Sequence, residues 1–416
     1  MASKYQAPRG TFDVLPADAH VRRRIEASAA AICARAGYQP IATPAFEDTE
    51  LFERGVGRST DIVRKEMFTF EDKGGRSITL RPEGTAPICR AYVEHGMHKL
   101  AQPVKLFYAG PFFRHERPQA GRYRQFHQVG IEAIGADSPL ADAEAIMLLA
   151  GLLAELGVPG VQLRLGSLGS PQARGEYLEE LKAHLRAHEG DLSKDVRERI
   201  EINPLRAFDA DDEGTRGVMT SAPTIVGHLA GEDAEHFAEV RALLDAAGVQ
   251  YEIDPTLVRG LDYYSRTIFS FVCDRLGAQS EIGGGGRYDR LIEQLGGPPT
   301  PAIGWAAGIE RILLALGDEP EPRVPRVFVS HSAESDKSAR MAVALVEELR
   351  RAGLSAEIDL AGRSTKGQFK HADRIGADLV VVLGEEGSAE LRDMESGEQE
   401  PVSSDRLVAE IERRRA

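Results

Sequence analysis

Residues 113–132 read FRHERPQAGRYRQFHQVGIE, and this stretch decides the fold. Its polar centre, HERPQAG (115–121), contains a proline and a glycine, as turns and loops commonly do. The chain before it (104–114) and after it (122–134) is rich in aromatic and β-branched residues, which is typical of strands. The pattern therefore predicts a long β-hairpin that presents a polar loop at its tip.

The second predicted strand places an unusual mixture of side chains on one face. Because side chains alternate along a strand, that face carries Arg122, Arg124, Phe126, Gln128 and Glu132, with His127 on the opposite face. Arginine forks suit phosphate, an aromatic ring stacks on a base, and an amide and a carboxylate suit an amine or imidazole. The face therefore fits a phosphate-bearing aromatic ligand, to which Arg114 on the partner strand could contribute. The alternative is a half-exposed strand with cross-strand ion pairs.

Two further segments carry candidate ligand-binding groups. LRPEGT (80–85) places Glu83 and Thr85 where a strand is followed by a helix, although Glu83 could simply favour the positive end of the helix dipole. VRGLDYYSRT (258–267) places Arg259 beside a glycine. Such an arginine can approach a ligand closely, or it can be a surface side chain at a β-bulge.

Other patterns in the chain give weaker indications. The glycine run 283–286 matches neither a P-loop nor a dinucleotide-binding turn, so we interpret it as a close approach of the backbone to a ligand or another strand. Arg311 stands in the first turn of a predicted helix (309–316), where a solvated side chain is usual. His184 and His188 have the spacing of two metal ligands. They lack an evident third ligand, which favours surface histidines and predicts no metal site.

The composition sets limits on the class of protein. The chain has 416 residues, with 51 basic and 65 acidic side chains and a net charge of −14. This balance argues against nonspecific binding to nucleic acid but leaves room for a local basic site. The three cysteines, Cys33, Cys89 and Cys273, form no CxxC pair. No apolar run is long enough to span a bilayer, and the first residues lack an apolar signal core. We expect a soluble, cytoplasmic protein with no membrane partner.

The chain is predicted to form two domains. Residues 1–320 form the larger one, within which a highly charged, mostly helical segment at about 170–223 reads as an insertion. The proline-rich stretch GDEPEPRVP (317–325) is typical of an interdomain linker. After it, strands and helices alternate over 325–416, which predicts a small α/β domain.

Taken together, these segments resemble the histidyl-tRNA synthetases, a family of class II aminoacyl-tRNA synthetases, over nearly the whole chain. Residues 113–132 look like the motif 2 of that class, GWAAGIERI (304–312) looks like motif 3, and the extended segment ending at Pro44 looks like motif 1. LVRGLDYYSRT (257–267) resembles the peptide peculiar to the histidine enzymes and is the most specific match. The resemblance implies an α+β fold, in which a class II antiparallel sheet is flanked by helices. It also implies a helical insertion, a C-terminal α/β anticodon-binding domain and a homodimer formed through motif 1.

The resemblance also implies a reaction and a role for individual residues. The reaction is the ATP-dependent activation of histidine to histidyl-adenylate, followed by transfer to the 3′ end of tRNA(His). ATP, accompanied by Mg²⁺, would be held by Arg114, Glu116, Arg122, Phe126 and Arg311. Histidine would be bound by Glu83, Thr85, Gln128, Glu132, Arg259, Tyr263 and Tyr264. Arg259 and Arg114 would be the catalytic residues, and Arg117 and Gln119 would meet the acceptor end of the tRNA.

Two alternatives share part of this pattern. One is a non-catalytic, synthetase-like regulatory subunit of the first enzyme of histidine biosynthesis, but such paralogues usually lack the C-terminal domain and lose site residues. The other is a sister class II synthetase, for example for threonine or proline. The segment 257–267 and Glu132 argue against the second alternative.

Overall fold

The computed structural model describes residues 5–58, 60–277, 280–317, 326–332, 334–384, 388–403 and 406–415. The chain divides into two compact units, Met1–Pro320 and Glu321–Ala416. Apart from its first residue, the predicted linker 317–325 lies outside the described residues.

The first unit is built around an antiparallel sheet. Its strands are β1 (Gln39–Pro40), β2 (Phe46–Asp48), β3 (Phe68–Glu71), β4 (Ser77–Leu80), β5 (Val104–Phe113), β6 (Gln125–Ile134), β7 (Val161–Ser167), β8 (Glu252–Ile253), β9 (Ser265–Cys273), β10 (Glu281–Arg287) and β11 (Ala302–Gly308). Eight of them form one sheet in the order β1-β5-β6-β11-β10-β9-β7-β8, and β2-β4-β3 form a small second sheet. In the large sheet only the two edge pairs, β1 with β5 and β7 with β8, are parallel. The predicted antiparallel architecture is confirmed.

Helices cover both faces of the large sheet. They are α1 (Pro16–Arg35), α2 (Thr49–Phe52), α3 (Thr85–Glu94), α4 (Pro139–Glu155), α5 (Pro171–Ala187), α6 (Lys194–Arg199), α7 (Glu213–Met219), α8 (Gly231–Ala246), α9 (Leu291–Gln294) and α10 (Ile309–Leu316). The buried faces of α1, α4, α8 and α10 pack on one side of the sheet against side chains such as Val129, Ile131 and Trp305. On the other side, α3 and α5 pack in a second core with Leu106, Tyr108 and Ile268. The helices α5 to α7 form the helical insertion predicted at about 170–223.

The predicted hairpin forms, but its second strand begins later than predicted. Phe113 pairs with Gln125, and the register continues without a break to Val104 and Ile134. The regular pairing ends at Gln125, because the Arg124 N–H donates to the Gly10 carbonyl at 2.7 Å, although the Arg124 carbonyl still accepts from the Arg114 N–H at 2.9 Å. The Arg124 guanidinium also bonds the Arg9 carbonyl. The predicted place of Arg124 on the ligand-facing side of the strand is therefore wrong, since it is tied to the N-terminal segment.

The second unit has its own sheet. Its strands are β12 (Arg326–Ser330), β13 (Ser355–Ile358), β14 (Leu379–Leu383), β15 (Ala389–Asp393) and β16 (Gln399–Val402), and its helices are α11 (Asp336–Arg351), α12 (Thr365–Arg374) and α13 (Leu407–Arg415). The strand order is β13-β12-β14-β15-β16, with the first three strands parallel. This is the small α/β domain that the alternating pattern predicts. Across the described parts of both units, no helix combines the length and the apolar character needed to cross a bilayer.

Candidate active site

A cavity of about 440 Å³ opens on the face of the large sheet opposite the α1/α4 core. That volume lies in the range of small-molecule sites. Its walls come from β6, β10 and β11, the hairpin loop, the first residues of α3 and α10, and the segment 258–264. Most of the residues that the sequence singled out line it: Glu83, Thr85, Arg114, Glu116, Arg122, Phe126, Gln128, Arg259, Tyr263, Tyr264 and Arg311. The hairpin, the 80–85 segment and the 258–267 segment, far apart in sequence, therefore converge on one site.

Arginine side chains dominate one part of the cavity. The Arg114 Nε donates to the Pro82 carbonyl at 2.9 Å, and the Arg114 guanidinium lies 5.3 Å from the centre of the Phe126 ring. Glu116 pairs with Arg122, and its carboxylate also lies 3.8 Å from Arg114. Glu66, outside the cavity lining, adds a second carboxylate near both arginines. The two guanidinium groups that face the cavity are suited to bind phosphate.

Arg311 and Arg259 form a second cationic part of the cavity. The Arg311 guanidinium donates to the backbone carbonyls of Gly121 and Glu281. Arg311 therefore faces the cavity rather than the solvent that its helix position alone suggests. The Arg259 guanidinium donates to the Glu281 carboxylate at 2.8 Å and lies 5.7 Å from the centre of the Tyr264 ring. The interpretation of Arg259 as a surface side chain is excluded, because only 14% of it is exposed.

The floor of the cavity is backbone. A Cβ atom on Gly283 would lie 2.8 Å from the Ala306 carbonyl oxygen, and one on Gly284 would lie 2.5 Å from the Phe269 carbonyl oxygen. Real Cβ atoms do not approach so closely, and glycine avoids the clash because it has none. The glycine run therefore serves a close approach of strands and also leaves the cavity open above them.

Glu83 performs two tasks at the start of α3. Its carboxylate accepts from the Thr85 N–H at 2.8 Å and from the Ala86 N–H at 2.9 Å, which satisfies free donors at the helix N-terminus. The same carboxylate lines the cavity, with the Tyr263 hydroxyl 3.5 Å away. Burial raises the pKa of Glu83, although both backbone N–H groups oppose this shift. Glu83 therefore both stabilises the start of the helix and offers a carboxylate to a ligand, so the two interpretations of this residue are compatible.

Glu132 is buried behind the cavity wall. It lies on the predicted strand face, but its side chain is fully buried and is not among the lining residues. Its carboxylate accepts from the hydroxyls of Thr85 and Tyr288, both of which line the cavity. Burial raises the pKa of Glu132 to about 8, against the lowering effect of these two hydrogen bonds. The structure therefore does not bring Glu132 to the surface that a ligand would touch.

Arg117 and Gln119 lie outside the cavity. Both are exposed in the hairpin loop, where the backbone of Gln119 pairs with that of Arg122. The loop therefore holds both side chains away from the small-molecule site.

Sequence reasoning missed several lining residues, among them Tyr123, Tyr288 and Glu281. Strand alternation would place Tyr123 on the face opposite Phe126, but Tyr123 precedes the strand, so the rule does not apply to it. Its ring instead packs against Phe12 with 4.5 Å between ring centres. In the sequence, Tyr288 could have been identified as a lining residue by its position directly after the glycine-rich strand.

The remaining polar candidates form no metal centre. His184 contacts the Val218 carbonyl, and His188 contacts the carbonyl of His184. Within the described part of the chain, no three histidine, cysteine, aspartate or glutamate side chains are grouped as metal ligands. The three cysteines are free and buried.

A cation-lined cavity on an antiparallel sheet, with these motifs around it, is the arrangement expected of a class II aminoacyl-tRNA synthetase. The family model described as histidyl-tRNA synthetase matches residues 10–312, and that described as anticodon binding domain matches residues 327–414. The chain belongs to the histidyl-tRNA synthetase family.

Relatives of known function match over almost their full length. The chain is 50% identical to the histidine–tRNA ligase of Rubrobacter xylanophilus, over 96% of this chain and 97% of the relative. It is 49% identical to that of Desulfitobacterium hafniense, over 95% and 94%. The crystal structure of apo histidyl-tRNA synthetase from S. aureus superposes with a TM-score of 0.81 at 38% identity, over 97% of this chain and 99% of that one.

Proposed function

We propose that this chain is a histidine–tRNA ligase, which activates histidine with ATP to histidyl-adenylate and transfers it to the 3′ end of tRNA(His). The observation that carries the proposal is the convergence of Arg114, Arg259 and Arg311 on one cavity with Glu83 and Gln128. ATP–pyrophosphate exchange with a panel of amino acids tests it. We expect exchange with histidine alone. Exchange with threonine or proline would favour a sister synthetase, and exchange with none would favour the regulatory subunit.

Two features argue against the regulatory subunit. Of the twelve residues predicted to bind ATP and histidine, eleven line the cavity, whereas regulatory paralogues usually lose site residues. An anticodon-binding domain also follows the first unit, at residues 327–414. A subunit that only regulates another enzyme needs neither.

The chemistry that we propose depends on charge neutralisation. The histidine carboxylate attacks the α-phosphate of ATP, so two anions approach each other and pyrophosphate leaves. Arg114 and Arg259 neutralise the charge that develops, while Arg122 and Arg311 hold the outer phosphates. Phe126 offers its ring to the adenine, and Glu116 accepts from the adenine amino group. Mg²⁺ commonly binds through nucleotide phosphates with only one or two carboxylates, so we propose that it is held mainly by the phosphates of ATP.

Histidine occupies the part of the cavity nearest α3 in this proposal. Glu83, Thr85 and Gln128 receive the α-amino group, while the hydroxyls of Tyr263 and Tyr264 lie close to where the imidazole would sit. Glu132 then acts as a positioning residue, because it holds the hydroxyls of Thr85 and Tyr288.

The Glu132→Gln variant tests that positioning role. Ionisation of Glu132 strengthens its acceptance from both hydroxyls, and its pKa of about 8 places this change near neutral pH. We expect the KM for histidine to rise far more than the KM for ATP, and the ratio of variant to wild-type KM to grow from pH 6.5 to pH 8.5. Titration of histidine itself affects both proteins equally and cancels in this ratio. Equal changes in both KM values, or a ratio independent of pH, would contradict the proposal.

Recognition of tRNA is proposed for the hairpin loop. Arginine and glutamine can bind base edges, and arginine also binds phosphate. In the double variant Arg117→Ala, Gln119→Ala, we expect histidine-dependent exchange to persist and aminoacylation to fall. Each lost base contact should cost about 1–3 kcal/mol of discrimination. Both assays are made on one preparation, with tRNA that has or lacks its first acceptor base. A parallel loss of exchange would place the loop in the adenylation site, and no loss in either assay would make it a solvated turn.

We further propose that the active form is a cytoplasmic homodimer. On the small sheet β2-β4-β3, Phe46 is 54% exposed and Phe70 is 48% exposed, although both are large and apolar. This sheet adjoins the motif 1 segment that ends at Pro44, so a second copy could cover it. Light scattering of the purified protein measures the mass directly. The three buried, free cysteines suit a reducing compartment.

A further inference from the structure

Glu281 stands at an irregularity in the sheet beside the proposed reaction centre. It is the first residue of β10, and the pairing of β10 with β9 shifts register between Glu281 and Gly283. Irregularities of this kind often redirect a side chain near an active site. Here Glu281 is partly exposed and lines the cavity, while the following residue, Ile282, borders the cavity from within the core.

Two cationic side chains meet at this one residue. The Glu281 carboxylate accepts from the Arg259 Nη1 at 2.8 Å, and its backbone carbonyl accepts from the Arg311 Nη1 at 2.6 Å. Partial burial opposes ionisation of Glu281, yet Arg259 and, more weakly, Arg311 lower its pKa, so it is a carboxylate at neutral pH. The spacing between the two guanidinium groups is therefore set through Glu281.

The remaining surroundings of Arg259 hold it less firmly. Its Nε atom is buried without a hydrogen-bond partner. Its guanidinium fits against β10 because Gly284 leaves room, since a Cβ there would lie 3.0 Å from the Arg259 Nη1. The guanidinium also lies 5.7 Å from the centre of the Tyr264 ring and interacts with the Tyr264 hydroxyl. The ion pair with Glu281, at 2.8 Å, is the contact that joins Arg259 to an opposite charge at hydrogen-bonding distance.

We infer that Glu281 is a positioning residue for adenylate formation, which holds the Arg259 guanidinium at the place where the carboxylate and α-phosphate meet. The inference rests on the proposed function and extends it to a residue outside the family motifs described above. Misplacing a catalytic group by about 1 Å can cost on the order of 10² in rate.

The test compares Glu281→Ala with Glu281→Gln in histidine-dependent pyrophosphate exchange. We expect the alanine variant to lose about 10- to 100-fold in kcat with little change in the KM for ATP. The glutamine variant should retain most of the activity, because its amide oxygen still accepts from Arg259. Glu293→Gln, an exposed carboxylate on α9 outside the cavity, is the matched control. Thermal unfolding of each variant verifies that the fold is intact.

A double-mutant cycle separates positioning from a general structural effect. If Glu281 acts through Arg259, Glu281→Ala should cause little further loss in an Arg259→Ala background. The inference is overturned if the alanine variant keeps wild-type kcat, if the glutamine variant is as impaired as the alanine variant, or if the losses multiply in the double variant. Failure of the wild type to exchange with histidine would instead refute the proposed function.

Discussion

The Arg259→Ala variant is expected to fold normally and to lose adenylate formation by a factor of about 10²–10³. The arginine neutralises charge as the histidine carboxylate attacks the α-phosphate, and a lost preorganised contact of this kind typically has an effect of that size. The fold should tolerate the change, because the partner left behind, Glu281, is 41% exposed and can be hydrated.

Pyrophosphate exchange by the purified variant measures this loss. Arg164→Ala is a suitable control, because Arg164 lies on β7 of the same sheet, is 45% exposed and does not line the cavity. Exchange close to the wild-type rate in the Arg259 variant would exclude its catalytic role. An unfolded variant would instead show an altered circular dichroism spectrum.

The largest effect on stability is expected from Asp142→Ala. Asp142 in α4 and Arg287 at the end of β10 are both completely buried, and their atoms Oδ1 and Nη1 are 2.6 Å apart. Asp142 also contacts the His236 ring at 2.7 Å. Removing one member of a buried ion pair leaves the other charge unpaired and costs about 3–5 kcal/mol. Because Asp289 still contacts Arg287, we expect the lower part of that range.

Denaturant unfolding, followed by tryptophan fluorescence, measures this change. The chain has one tryptophan, and Trp305 is buried on β11 next to β10, so its emission reports on this region. Asp137→Ala is the matched control. Asp137 contacts the same arginine but is 65% exposed, so its loss should cost less than about 1 kcal/mol. Equal destabilisation by the two variants would contradict the importance of burial.

The sequence predicted the parts of the site that depend on local periodicity. Alternation along the hairpin placed Phe126 and Gln128 on the cavity side and His127 on the other side, where its ring contacts Glu310. The rule failed for Arg124 and Tyr123, because both precede the strand and the Arg124 N–H bonds the Gly10 carbonyl instead of the partner strand. No local pattern reports a partner that lies more than one hundred residues away in sequence.

The burial of individual side chains could not be predicted from the sequence either. Glu132 and Gln128 share a strand face, yet only Gln128 reaches the cavity, because Thr85 and Tyr288 from other elements bond the carboxylate. The position of Glu281 in the cavity wall could not be predicted for a similar reason. Its direction depends on a register shift between β10 and β9, which is a property of the paired strands and not of either sequence alone.

The glycine floor of the cavity has a consequence for inhibitors and resistance. At Gly283 and Gly284 any side chain would collide with backbone atoms of neighbouring strands, and at Gly304 a Cβ would lie 1.8 Å from the Glu132 carboxylate. Substitution at these three positions would therefore disrupt the sheet before it altered a bound compound. An inhibitor that derives its affinity from contact with this floor should therefore seldom select resistance at the surface on which it rests.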